Sequence, residues 1–284
     1  MQKIAIIGGT GLQNLPESEF LGEYYDETPF GMPSSPLRHV KVGNTELVFL
    51  ARHGENHTIL PGEINYRANI YALKMCAVTQ IISVAAVGSL KENIKPGDFV
   101  VVDQFFDRTH NRNDTFFGNG VVAHIPFGNP VCPALHKLLV KAARDADATV
   151  HNSGTYVNIE GPAFSTRAEA NFYRNVLSAD VVGMTNLTEA KLAREAGICY
   201  ATLAHVTDYD CWYDKAEEVS ISEIIKIIDQ NIEQTKNIIL EFMKSQFLPN
   251  QCNCADSLDG ALLTPIDKIP EETKKKLNAI LNNI

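Results

Sequence analysis

Six short apolar runs, several rich in β-branched residues, constrain this chain most. They are "IAIIG", "ELVFLA", "QIISVAAVGSL", "DFVVVDQF", "ADVVGMT" and "CYATLAHVTD". Polar and apolar residues do not alternate in them, so both faces of each strand must be covered, as in a parallel sheet packed between helices. Between the runs lie segments with apolar residues at helical spacing: "EINYRANIYALKMC", "LHKLLVKAARDA" and "NLTEAKLAREAG". The last ends in Gly197, a C-cap residue. Strands alternating with helices predict an α/β fold around a parallel or mixed sheet.

From Ser220 the pattern becomes one long helix, "SISEIIKIIDQNIEQTKNIILEFMKS", and a second short helix is expected over Glu271 to Leu281. No internal repeat, low-complexity stretch or linker precedes residue 246, so one domain over residues 1–246 is expected. A tail over 247–284 should pack on the same domain.

With 45% apolar and 21% charged residues the chain can build a sizeable core. A net charge of −9 leaves no broad cationic face for a nucleic-acid backbone. The first apolar run stops at Gly8, too short for a signal peptide, and no stretch is long enough to cross a bilayer. The expectation is a cytoplasmic protein that interacts with neither nucleic acid nor membrane. Its six cysteines should then be reduced thiols, mostly buried. Cys252 and Cys254 form a C-x-C pair in the polar stretch "FLPNQCNCADSLDG", which holds no further Cys or His to complete a metal site. Disordered thiols are expected there rather than a redox-sensitive disulfide.

The opening "KIAIIGGTGLQN" poses the functional question. It has the first two glycines of a dinucleotide fingerprint, Gly9 and Gly11, but the third position is Asn14. The next segment, broken by Pro16 and a run of Pro and Ser, does not read as a helix leading to a parallel strand. A nicotinamide-dependent oxidoreductase is therefore a remote reading. The turn is either simply tight or a set of backbone amides plus the Thr10 hydroxyl facing an anion.

Four further segments bear on that choice. "ARHGENHT" puts Arg52 beside His53 directly after an apolar run, where a planar donor fork and an additional donor suit a compact oxyanion. "VAAVGSL" offers Ala85, Ala86, Gly88 and Ser89, small enough for a ligand to lie against backbone. "NIEGPAFSTRAE" sets Phe164 just after a Gly-Pro turn, and "HVTDYDCW" carries two carboxylates, Asp208 and Asp210, after a buried strand. Each taken alone could be a surface pair, a tight turn, a core aromatic or a solvated acidic loop.

Taken together, "IIGGTGL", "ARHGENHTILPGEINYRANI", "GSLKENIKPGDFVVVDQFFDRT", "IEGPAFSTRAE", "GMTNLTEAKLAREAGICYAT" and "VTDYDCW" resemble the trimeric nucleoside phosphorylase family, closest to its methylthioadenosine-cleaving branch. The resemblance runs to about residue 235. It implies a single α/β domain with a mixed, partly barrel-like sheet, assembled as a homotrimer or a dimer of trimers. It also implies phosphorolysis of S-methyl-5′-thioadenosine to adenine and 5-methylthioribose 1-phosphate, with inorganic phosphate as co-substrate and no cofactor or metal.

The resemblance assigns phosphate to Thr10, Arg52, His53, Thr185 and the backbone at Ala85 and Ala86. It assigns the nucleoside to Phe164 (stacked on the purine), Ser165, Met184 (along the ribose), Thr207, Asp208 and Asp210. Asp208 becomes the acid that protonates N7 of the departing purine, with Asp210 beside it at the base edge. Members that cleave 6-oxopurine nucleosides such as inosine or guanosine carry Glu and Asn where this chain has Ser165 and Asp208, so both positions fall on the adenine side. Ile221 and Ile224 match the 5′-substituent pocket, which His124 of a neighbouring subunit would close. The chain departs from the family pattern at Thr188, in place of a proline, at Ala163, in place of an arginine, at His205, in place of an apolar residue, and at Ala85, where some members have Thr.

Overall fold

The structure, a computed structural model, describes residues 3–9, 11–16, 18–213, 221–245 (backbone only over 221–226) and 252–281. Its centre is a set of four parallel strands. β1 (Lys3–Gly8) lies between β4 (Thr45–Ala51) and β5 (Gln80–Ser89), and β11 (Cys199–Tyr209) runs along the other edge of β5. β5 is long enough to divide one edge between two partners: Ile4–Ile7 pair with its first residues, and β10 (Val181–Gly183) pairs antiparallel with Gly88 and Ser89 at its end.

The sheet is mixed because antiparallel strands extend it. β2 (Glu19–Tyr24) and β3 (Leu37–Val42) add beyond β4, and β6 (Phe99–Val102) pairs antiparallel with β11. β7 (Gln104–Arg108), β8 (Val150–His151) and β9 (Thr155–Ile159) complete eleven strands in a sheet that does not close on itself.

Alternation along β1 shows why the runs are apolar throughout. Ile4 and Ile6 face one layer, with Leu135 and Leu139 of α2 (Pro133–Asp145) and Ile238 and Phe242 of α5 (Ile221–Lys244). Ala5 and Ile7 face the opposite layer, with Ile70 and Leu73 of α1 (Tyr66–Met75) and Ala190 and Leu192 of α4 (Asn186–Glu195). Each fully buried Leu or Ile in these layers contributes about 1.5–3 kcal/mol, which fixes the strand register.

Among the described residues no helix lies between β1 and β2, and the parallel neighbours of β1 arrive from β4 and β5. The βαβ unit of a dinucleotide site is absent here, as Asn14 and Pro16 foretold. Several features escaped the sequence reading, β2, β3, β8 and β9 among them, since they lie outside the six apolar runs. α3 (Arg167–Asn175), a polar helix, starts at a Thr166–Glu169 capping box, and "DFVVVDQF" breaks at Asp103 into β6 and β7. The expected last helix is likewise two short ones, α6 (Glu271–Lys276) and α7 (Asn278–Leu281), separated at Leu277.

The C-terminal segment corrects the expectation of disordered thiols. Its described part, 252–281, is packed: Cys254 joins the α2/α5 layer, while Leu258, Ile269, Leu277 and Ile280 join the α1/α4 layer. A bridge from Ala123 to Leu262 and a bond from the His124 N–H to the Ala261 carbonyl tie it to the loop before α2. Further cysteines also surround the C-x-C pair. They come from Cys132 at the N-cap of α2 and Cys199 at the start of β11, too far along the chain for a local search to meet. No helix among the described residues is long and apolar enough to cross a membrane.

Candidate active site

β1, β4, β5 and β11 run in the same direction, so their carboxyl ends meet along one edge of the sheet, where open α/β sheets bind ligands. Gly8, Arg52, Ala85 to Gly88 and Asp208 all lie there. The backbone joins the first two of these, with the Arg52 N–H donating to the Gly8 carbonyl at 3.0 Å. Thr10 falls outside the described residues. The Gly11 N–H beyond it donates to the Gln13 side chain at 2.9 Å, so that amide is not facing an anion in this conformation.

The Arg52 guanidinium is only 2% exposed. Its Nε and Nη2 form a two-pronged ion pair with Glu189 of α4; Nη2 also donates to Ser83 Oγ at 2.6 Å and Nη1 to the Val84 carbonyl at 3.1 Å. The Ser83 hydroxyl donates to Glu189 Oε2 at 2.6 Å and accepts from Asn186 Nδ2 at 2.9 Å, and the Tyr200 hydroxyl donates to Glu189 at 3.0 Å. The planar fork expected to face an oxyanion is thus committed to Glu189, which leaves a single Nη1 hydrogen for a ligand. Glu189 ends the "TNLTE" stretch that matches a family pattern apart from Thr188, but only the fold shows Arg52 as its partner.

His53 takes a different part from the additional donor expected of it. Its Nδ1 lies 2.8 Å from the Ile59 carbonyl, which can only accept. Nδ1 therefore carries the proton, and Nε2 is a lone-pair acceptor. Burial first, then the Arg52 charge, push the ring's pKa down to about 4, which keeps it neutral near pH 7. His57, in a left-handed conformation at φ 53°, stacks on it with ring centroids 4.4 Å apart.

The carboxylates are arranged by a bulge. Pairing between β5 and β11 steps from Val87↔Val206 to Gly88↔Asp208, so Thr207 is the extra residue and Asp208 sits directly across from Gly88. The Thr207 hydroxyl is 2.6 Å from Asp208 Oδ1 and 3.3 Å from the Val87 carbonyl. A Cβ on Gly88 would meet Asp208 Oδ2 at 3.4 Å, Asp210 Cβ at 3.4 Å and Val182 Cγ1 at 3.3 Å, so a side chain there would crowd both carboxylates. Burial raises the Asp208 pKa to about 6; the Thr207 bond opposes this and the Asp210 charge adds to it. Asp210 is raised as well, by burial, and accepts the Cys211 N–H at 2.9 Å. Its Oδ2 and the Ser165 hydroxyl are both buried, with no hydrogen-bond partner among the described residues. Ser165 is near enough to pull the Asp210 pKa down, but not in bonding geometry.

Around this pair, Phe164 is 71% exposed and follows the cis Gly161–Pro162 peptide. Gly161 adopts φ 68° beneath Met184, whose Sδ would lie 2.5 Å from a Cβ there. Thr185 caps α4 and its hydroxyl is 3.1 Å from Asn186 Oδ1. One buried residue that sequence reasoning missed ties these loops together. Arg112 donates to the Pro61 carbonyl, the Tyr66 hydroxyl, both the side chain and the carbonyl of Glu160, and the Met184 carbonyl, at 2.5–3.2 Å. It sits in the polar segment "DRTHNRNDTFFGNG", which carries no periodic signal.

The side chains of Ile221 and Ile224 lie outside the described residues. His124 is exposed on the loop bridged to the C-terminal segment and makes no described contact with the carboxylate group. Of the departures, Thr188 is buried in α4. His205 is buried near Phe99, and burial lowers its pKa to about 4, so a neutral ring fills the apolar position.

The chain resembles known proteins along nearly its whole length. It is 50% identical over 283 residues to an S-methyl-5′-thioadenosine phosphorylase from Geobacter sulfurreducens, covering 99% of both chains. Its structure is similar to a methylthioadenosine phosphorylase from an antarctic soil metagenomic library, with a TM-score of 0.92, 43% identity and 99% of each chain covered. It is also similar to a variant of the adenosine/methylthioadenosine phosphorylase of Schistosoma mansoni in complex with methylthioadenosine, with a TM-score of 0.84, 35% identity, and 94% of this chain and 100% of that one covered. The pattern of the phosphorylase superfamily matches residues 3–244, from the first buried strand through the last residue of α5, and the chain belongs to that superfamily.

Proposed function

We infer that the chain catalyses phosphorolysis of S-methyl-5′-thioadenosine, giving adenine and 5-methylthioribose 1-phosphate. The observation that carries this reading is Asp208: a half-buried carboxyl with its pKa raised to about 6, backed by Gly88 and flanked by Asp210 and Ser165. Cleaving the N-glycosidic bond moves its electron pair onto the purine, which leaves poorly as an anion. An acid that titrates near neutrality delivers the N7 proton as the bond breaks, worth ~10²–10⁴-fold. The phosphate dianion attacks C1′ and also offsets the positive charge that builds on the sugar.

In this reading phosphate sits against Thr10, the free Nη1 hydrogen of Arg52, the backbone of Ala85 and Ala86, and Thr185. His53 Nε2 accepts a hydrogen bond from the hydroxyl of the phosphate dianion, so the neutral ring orients the nucleophile without taking its proton. Phe164 covers the purine face and Met184 the ribose. The unpartnered Ser165 Oγ and Asp210 Oδ2 face the base edge, where adenine brings an amino donor. Ile221 and Ile224 line the 5′-substituent, with His124 supplied by a neighbouring subunit of a homotrimer or a dimer of trimers, in the cytoplasm. Relatives named for methylthioadenosine phosphorylase activity, identical at half of all positions, support the same substrate.

The test is adenine release from methylthioadenosine with and without phosphate. Turnover that requires phosphate is expected. Faster release of hypoxanthine from inosine or methylthioinosine would replace this reading with the 6-oxopurine one.

A further inference from the structure

Four cysteines far apart in sequence converge at a place remote in the fold from the Asp208 strand end. Cys132 is the N-cap of α2, Cys199 opens β11, and Cys252 and Cys254 come from the C-terminal segment. Their four Sγ atoms all lie within 4.8 Å of one another, and the Cys199–Cys252 pair is 3.4 Å apart. A tetrahedral zinc with Zn–S bonds of ~2.3 Å spaces its four sulfurs by about 3.8 Å. The cluster therefore needs only small side-chain rotations to reach that geometry.

The setting is that of a closed site. Cys132, Cys199 and Cys254 are buried in the α2/α5 layer, and Cys252 is half-buried, which leaves one side for a metal to enter. The donors are held before any ion arrives. The Cys132 N–H donates to the Tyr200 carbonyl and the Cys199 N–H to the Thr79 carbonyl; the Leu135 N–H donates to Cys132 Sγ at 3.5 Å, a bond that also favours a thiolate. Every thiol has three sulfur neighbours rather than one, which matches a single centre better than two separate pairs. Four soft sulfur donors fill a tetrahedral shell by themselves and so select a structural ion rather than a catalytic one.

We propose that Cys132, Cys199, Cys252 and Cys254 bind one structural Zn(II) that fastens the C-terminal segment to the core. Binding forms four Zn–S bonds and releases the thiol protons to solvent, with no change of oxidation state. The ion would cross-link α2, β11 and the C-terminal segment, so its binding energy adds to folding energy.

The full chain, purified under reducing conditions with zinc and then desalted, is expected to hold about one zinc per chain by elemental analysis. Substituting Co(II) should give the thiolate charge-transfer band and intense visible bands of a tetrahedral sulfur site. Stripping with a strong chelator in the presence of reductant should lower Tm by roughly 10 °C, and added zinc should restore it. The double variant Cys252→Ser/Cys254→Ser should fail to retain the metal. Two results would overturn the proposal: a reduced, reconstituted chain holding less than about a tenth of an equivalent, or a double variant with undiminished zinc. A native mass lower by the hydrogens of two disulfides, with thiols that resist alkylation until reduced, would also overturn it and assign the cluster to cystine chemistry. The cobalt and metal-content measurements need no substitution, so they decide the question even if the variant does not fold.

Discussion

Two polar groups lie along the same edge of the sheet, Arg52 after β4 with Glu189 of α4 and Asp208 with Asp210 at the end of β11, and they are finished differently. Around Arg52 and Glu189 the hydrogen bonds are nearly all spent inside the protein: on Ser83, Val84, Asn186 and Tyr200. Around Asp208 and Asp210 they are not. Asp210 Oδ2 and Ser165 Oγ have no hydrogen-bond partner among the described residues, and both carboxyl pKa values are raised. An orphaned buried oxygen is costly, so a fold keeps one where a ligand will complete it. The first group is scaffold that presents one hydrogen to a ligand; the second is chemistry waiting for a partner.

The largest expected effect falls on the unfinished group. Asp208→Asn should lower kcat/KM for adenine release by ~10²–10⁴-fold while the chain stays folded. It should also raise stability, because the wild-type carboxyl is held against its preference. The Asp208 pKa rises from 3.8 in the unfolded chain to about 6 in the fold, so the folded state binds the proton more tightly. Its stabilising contribution is whole below about pH 4, drains away as pH rises to about 6, and is flat beyond. Asn does not titrate, so at pH 7–8 the variant should gain about 1–3 kcal/mol over the wild type, and nothing at pH 4. Urea unfolding at those two pH values reads the difference. His53 and His205, both lowered to about 4, act with the opposite sign: their contribution is lost as pH falls from 6.5 toward 4. The variant's stability should therefore climb more steeply with pH than the wild type's over that window.

In the finished group, Glu189→Ala leaves the Arg52 charge buried and unpaired and should cost 3–5 kcal/mol, roughly. Replacing both partners, Arg52→Met with Glu189→Leu, should recover much of that stability yet not the phosphate dependence of turnover. Equal losses in the single and double variants would show that the charge pair is not what the scaffold needs. A third readout separates the groups without mutation. The pH profile of kcat/KM should bend downward above about pH 6 as free Asp208 ionises, and the limb should move higher for kcat, when the purine covers the carboxyl.

The contrast also explains what could be read from sequence. The four parallel strands were legible because burial on both faces leaves long apolar runs, and Asp208, Asp210, Arg52 and His53 could be named as candidates because they follow those runs directly. Glu189 and Arg112 were not, since each acts across loops and helices by hydrogen bonds that no spacing encodes. α3 was missed because its polar surface gives little periodicity, although Thr166 and Glu169 had the capping-box spacing. For Arg52 and His53 residue type implied donors facing a ligand, whereas only the fold shows that most of those hydrogens go to Glu189, Ser83, Val84 and the Ile59 carbonyl. The thiol cluster lay beyond any local reading, because its two halves meet only when the C-terminal segment packs beside β11.

The smallest effect should come from Ser165→Ala. The hydroxyl has no partner in the fold, so removing it breaks no protein hydrogen bond and relieves an unpaired buried group; stability should change by less than about 0.5 kcal/mol, or rise. If Ser165 and Asp210 together complete the purine edge, the loss appears only with substrate bound. KM for methylthioadenosine should rise several-fold with little change in kcat, because ground state and transition state lose the same contact. A kcat that falls with KM unchanged would move Ser165 from reading the base to supporting Asp208 in the proton transfer. A drop in stability without a kinetic change would place the hydroxyl with the finished group, and the line drawn between the two would have to shift by one residue.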